Sequence, residues 1–139
     1  MEVKVYLAST GKGFRKQDGR FGYLIEMTEG GKTASRAFRS RYENLTDNQA
    51  FLTALVRAGR YLSRLKVEKI RIFTPNDYTV ANYYSLKKWK EMGWKRKDQT
   101  IKNADLWRQV DEVYKGIPLD MTLEKGGKVR ELEEMLGGE

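Results

Sequence analysis

A chain of 139 residues with 40% hydrophobic and 12% aromatic side chains has the length and composition of one globular domain and is too apolar to remain disordered. It contains no cysteine and no histidine, which excludes disulfides, a thiolate nucleophile and an imidazole base or metal ligand. The net charge of +8 favours polyanionic partners, and no apolar run approaches the ~18 residues of a membrane span.

The charge is unevenly spread. Residues 116–139 hold three Lys/Arg against six Asp/Glu; removing them from the totals of 27 and 19 leaves 24 against 13, a surplus of +11 on residues 1–115. No charged-then-apolar leader opens the chain, so the expectation is a soluble, cytoplasmic protein with no membrane partner.

Taken in chain order, Val3-Lys-Val-Tyr-Leu7 reads as a buried first strand. Gly11 to Gly19 reads as a loop, and Phe21 to Met27 as a second strand. Gly30-Gly31 is a hairpin signal leading into a weaker third strand, Lys32 to Arg41. Thr46-Asp47-Asn48-Gln49 has the form of a capping box, and Leu52, Leu55, Val56, Gly59 and Leu62 recur on one helical face behind it. Gly59 costs about 1 kcal/mol against Ala within a helix, which implies close packing against a sheet.

Val67 to Thr74 reads as a strand stopped by Pro75, and its helix-connected return implies a parallel strand pair. Tyr78 to Met92 and Asn103 to Tyr114 predict two helices, Ile117 to Leu123 a last strand, and Lys128 to Leu136 a terminal helix. Neither repeats nor linkers divide the chain, so residues 1–139 are expected to form one α/β domain. Its mixed five-stranded sheet has three antiparallel strands, then parallel ones, flanked by helices.

Several segments resemble ribonucleases H of type I. Trp89-Lys-Glu-Met-Gly-Trp-Lys95 followed by Lys102-Asn-Ala-Asp-Leu-Trp107 is similar to the paired W-K-x-x-G-W-K and K-N-x-D-L-W segments of that family. Val5 to Thr10 resembles its V-Y-T-D-G-S strand, Thr46 to Ala54 its T-N-N-R-x-E-L-x-A helix opening, and Phe73 to Tyr78 its S-T-D-S-x-Y strand exit. The match is best over residues 1–114; residues 115–139 diverge.

The resemblance implies an RNase H-like fold and a nucleic-acid partner. It also implies a two-metal reaction held by four carboxylates, because hard cations such as Mg²⁺ require anionic oxygen ligands. The four corresponding positions are Ala8, Phe51, Pro75 and Arg130, none of which supplies one. The expectation is therefore a degenerate site that is not an enzyme, binds no metal and needs no cofactor. Mg²⁺ or Mn²⁺ enters only if Asp47, Asp77 and Glu131 rebuild the site, with Asp77 the best-placed rescue.

Binding residues carry over in part. Thr46 and Asn48 fall where family members contact a hybrid, although the same residues also suit a helix cap. Lys87, Lys88, Lys90, Lys95, Arg96 and Lys97 fall in the family's basic protrusion, where phosphate contacts position a duplex. Trp89 and Trp94 interleave with them as packing residues, and Trp107 is a core residue. Arg36, Arg39 and Arg41 on the third strand could extend the same surface or simply block edge pairing.

The functional expectation is thus duplex binding, of RNA/DNA hybrid or double-stranded RNA, through a basic surface. The alternatives are a protein-interaction module on the same scaffold and a nuclease with relocated carboxylates.

Overall fold

In the computed structural model, which describes residues 1–137, β1 (Glu2–Ser9) lies at the centre of the sheet. Val3, Val5 and Leu7 point to one side, into the main core, while Ala8 packs on the other side with Leu132 and Leu136. Burial on both faces explains why this strand is an almost continuous apolar run.

β2 (Gln17–Glu29) and β3 (Lys32–Leu45) form a long antiparallel hairpin with β1, turning at Gly30 and Gly31, whose φ angles are 59° and 79°. β4 (Lys69–Thr74) pairs parallel to β1, and β7 (Leu119–Leu123) parallel to β4, giving the order β3-β2-β1-β4-β7. The expected mixed five-stranded sheet is therefore present.

Helix α1 (Asp47–Leu62) covers one face. Its capping box is complete: Thr46 Oγ1 accepts from the Gln49 amide at 3.1 Å, and Gln49 Oε1 accepts from the Thr46 amide at 3.0 Å. Leu52, Leu55 and Leu62 are fully buried beneath it. α4 (Ala104–Val113) packs alongside, with Trp107 and Val110 fully buried, and α5 (Gly127–Gly137) covers the opposite face through Val129, Leu132 and Leu136.

Three local expectations are corrected, and a fourth feature is added. The first loop is shorter, because β2 begins at Gln17. Gly59 admits α4 rather than the sheet: a Cβ there would lie 2.5 Å from Val113 Cγ2 and 2.8 Å from the Tyr114 ring. The helix expected over 78–92 is two, α2 (Asp77–Tyr83) and α3 (Leu86–Glu91). The chain tightens at Ser85, whose amide bonds Asn82 O, while the Tyr84 hydroxyl accepts from the Met121 amide of β7 at 3.0 Å.

The fourth is a small ribbon, β5 (Lys95–Arg96) and β6 (Gln99–Thr100), turned by Lys97 and Asp98 with φ of 48° and 64°. Two positive-φ residues in a two-residue loop make a primed hairpin turn, normally written with Asn-Gly. Neither that composition nor a strand-length run marks it in the sequence.

Candidate nucleic-acid interface

The carboxyl ends of the parallel strands β1 and β4 face the start of α1, and ligands of open α/β sheets bind at such ends. Here they frame a cleft of about 780 Å³ rimmed by the β1–β2 loop and by Glu133 of α5. Three carboxylates line it: Asp47, Asp77 and Glu133.

Asp47 opens α1, where the helix dipole favours an anion. Its Oδ1 is buried without a hydrogen-bond partner among the described residues. The chain passes so close at Gly11 that a Cβ there would stand 2.6 Å from this oxygen. Burial pushes the Asp47 carboxyl above the usual range, and the Ser9 hydroxyl partly offsets this. Burial likewise pushes Glu133 up; Arg130 opposes the shift and Asp47 adds to it. Asp77 is exposed, with Lys125 Nζ 4.0 Å from its Oδ2.

None of the four family carboxylate positions fits a metal pair. Ala8 is fully buried against Leu132 and Leu136. Phe51 lines the cleft and belongs to the core, so an apolar side chain stands where the resemblance places a carboxylate. Pro75 has no ligand atom, and Arg130 is exposed, 3.9 Å from Glu134. Among the described residues no group of three acidic side chains is arranged to hold a metal ion.

Two of the relocated candidates reach the cleft and one does not. Asp47 lies in it, because α1 starts directly beneath the β1–β2 loop. Glu131 is exposed away from it, and Glu133 takes its place. Helical periodicity could have found Glu133, which stands one turn after the buried Val129 and so belongs to the inward stripe of α5.

Of the binding residues, Thr46 is engaged as the α1 cap. Asn48 lines the cleft, with its Oδ1 accepting from Asn76 Nδ2 at 2.9 Å. Lys87, Lys88, Lys90, Lys95, Arg96 and Lys97 are all exposed on α3 and the ribbon. Lys90 pairs with Asp111 at 3.2 Å.

A second groove of about 540 Å³ runs between α2, α3 and the ribbon, lined by Arg96, Lys97 and Lys102. Tyr78 lines both cavities and so stands between them. Its hydroxyl accepts from Trp107 Nε1 at 3.0 Å and from Asn103 Nδ2 at 3.1 Å. Trp89 packs edge-on against Trp107, and Trp94 lies under the Arg108 guanidinium, so both tryptophans support the basic elements from within.

Arg39 and Arg41 do not extend this surface. They project on the α5 side of the sheet, where Arg39 Nη1 donates to Met135 O at 3.4 Å. Arg36 instead lies over the Tyr61 ring on the α1 side, at 4.4 Å.

The comparisons with known proteins agree with this architecture. The RNase H family pattern matches residues 3–126. The ribonuclease H of Cupriavidus necator is 32% identical over 112 residues, covering 79% of this chain and 72% of that protein. LC9-RNase H1, a type 1 RNase H with the type 2 active-site motif, superposes with a TM-score of 0.78 at 22% identity, over 98% of this chain and 68% of that one. LC11-RNase H1 in complex with an RNA/DNA hybrid gives a TM-score of 0.66 at 17% identity, over 96% and 92%.

These relatives are enzymes by name, which overturns the expectation that replaced carboxylates take the chain out of the enzymes. The sheet order, the cleft and the match over most of its length together establish that this chain belongs to the RNase H family.

Proposed function

We propose that this chain acts on RNA/DNA hybrids, holding the duplex across the cleft and the adjoining groove while α3 and the β5–β6 ribbon grip phosphates. The observation that carries this reading is the adjacency of the two cavities on either side of Tyr78, with Arg96, Lys97 and Lys102 along the far one. Cations in that arrangement position a duplex through its backbone without reading bases, and a hybrid of A-like shape suits such a surface. That LC11-RNase H1, a structural relative, has been captured with a hybrid supports the same substrate class.

Hydrolysis falls to the carboxylates that line the cleft, because none of the four family positions carries one. Asp47 is the group best suited to take a proton from water. It lines the cleft and burial shifts its pKa upward, the combination expected of a working base.

The test is binding of a hybrid and a DNA duplex at several salt concentrations, with Mg²⁺ or Mn²⁺ present and products resolved on a gel. Each cation withdrawn from a phosphate should reduce the slope of log K against log salt by roughly 0.7–0.9. Replacing Lys87, Lys88 and Lys97 by Ala should therefore flatten it by about 2–3. Hybrid binding indifferent to salt and to these changes would refute the interface. Tight binding with the strands left intact would refute the role given to Asp47.

A further inference from the structure

The β1–β2 loop carries a feature that the duplex grip does not use. Phe14 is 92% exposed, the most exposed of the large apolar side chains; the next, Tyr84, is at 63%. It stands on the rim of the cleft, in the segment Gly11-Lys12-Gly13-Phe14-Arg15-Lys16.

The loop is braced at its base. The Lys12 amide donates to Gln17 Oε1 at 3.1 Å, and Gln17 Nε2 donates to Lys12 O at 2.9 Å and to Arg15 O at 3.1 Å. Gly11 is tied back through its amide to Ser9 Oγ. Gly13, with a φ of +73°, turns the chain so that Phe14 sits at the tip. Lys12, Arg15 and Lys16 surround it, all exposed and without ion-pair partners among the described residues.

An isolated benzyl group held in water by its own loop loses free energy unless something covers it. Three cations around it call for a partner that offers negative charge and a flat apolar face together. A nucleobase flanked by phosphates is such a partner, since aromatic side chains within basic grooves stack on unpaired bases whatever the sequence.

We infer that Phe14 is a stacking platform for an unpaired base at the mouth of the cleft, so that the protein favours hybrids ending in a single-stranded overhang or junction over blunt ones. Bases inside a duplex are already stacked on their neighbours and leave Phe14 no face to cover. The inference rests on the hybrid-binding reading above and specifies which hybrid is preferred.

The test compares a blunt hybrid with one carrying a short single-stranded overhang that contains 2-aminopurine, using the full chain. Stacking on an aromatic should favour the overhang by roughly 5- to 150-fold. Phe14→Ala should remove that preference, lowering overhang affinity more than blunt-end affinity, and Phe14→Trp should keep it and quench 2-aminopurine emission. Lys12→Ala with Lys16→Ala should weaken both substrates alike.

Equal loss of blunt and overhang binding in Phe14→Ala, or no quenching by either the parent or Phe14→Trp, would overturn the stacking role while leaving the duplex interface intact. Failure of the parent protein to bind any hybrid would overturn both. Because the side chain is almost wholly in solvent, replacing it leaves the core untouched, and an unchanged circular dichroism melt verifies this.

Discussion

Removing one oxygen from Tyr78 tests the residue that stands between the cleft and the basic groove. In Tyr78→Phe the ring still packs against Trp107, at a centroid separation of 6.0 Å, but Trp107 Nε1 and Asn103 Nδ2 no longer have their acceptor. The two donors are not equivalent. Trp107 is fully buried, so water cannot replace the hydroxyl, and an orphaned buried donor costs about 1–3 kcal/mol. Asn103 lies nearer solvent and retains its contact with Gln49, so its share is small.

The expected loss is therefore about 2 kcal/mol. With an unfolding entropy of roughly 2.1 cal/mol/K per residue, a chain of 139 residues unfolds with ~290 cal/mol/K, so this loss lowers Tm by about 7 °C. Thermal melts and urea titrations of the two proteins measure it, with an unchanged m-value expected because the surface exposed on unfolding is the same. A shift under about 1 °C would mean that the indole is satisfied elsewhere and that Tyr78 is not what ties α4 to the groove.

Two further substitutions separate packing from function. Gly59→Ala should destabilise by about 1–3 kcal/mol despite the better helix propensity of Ala, because the added methyl meets Val113 and Tyr114 and overpacks the contact between α1 and α4; a denaturation midpoint at or above that of the parent would refute this. Asp47→Asn should stabilise the protein at neutral pH. The folded Asp47 carboxyl binds its proton more tightly than the unfolded one, so ionisation penalises the fold as pH rises from the usual carboxylate range through the raised folded value. The Asn variant should lack that decline, and hybrid cleavage should fall at the same time, the pattern of a functional group kept at a cost in stability. Parallel stability–pH curves for the two proteins would refute the shift.

Much of the architecture was legible in the residues. The buried run of β1, the Gly30-Gly31 turn, the capping box at Thr46 and the apolar stripe of α1 are local patterns that stand in the sequence and reappear in the structure. The resemblance around Trp89 to Trp107 pointed to the family that the comparisons establish. Less legible were the break between α2 and α3 and the ribbon of β5 and β6. The break accompanies a hydroxyl reaching across to β7, and the ribbon depends on a turn made by residues that rarely adopt positive φ.

The sequence by itself determined the three opening strands, the α1 helix, the parallel return of β4 and the basic character of α3, because each depends on residue identity or on short-range periodicity. Only the tertiary structure decided which acidic groups meet. It brings Asp47 and Glu133, far apart in the sequence, to one cleft and leaves Glu131 outside it. It also divides the arginines of β3 between the two faces of the sheet, and sets Phe51 both in the core and at the cleft. The reason is physical: burial, and the desolvation that shifts a carboxyl upward, arise from the packing of elements distant in sequence, which no local pattern encodes.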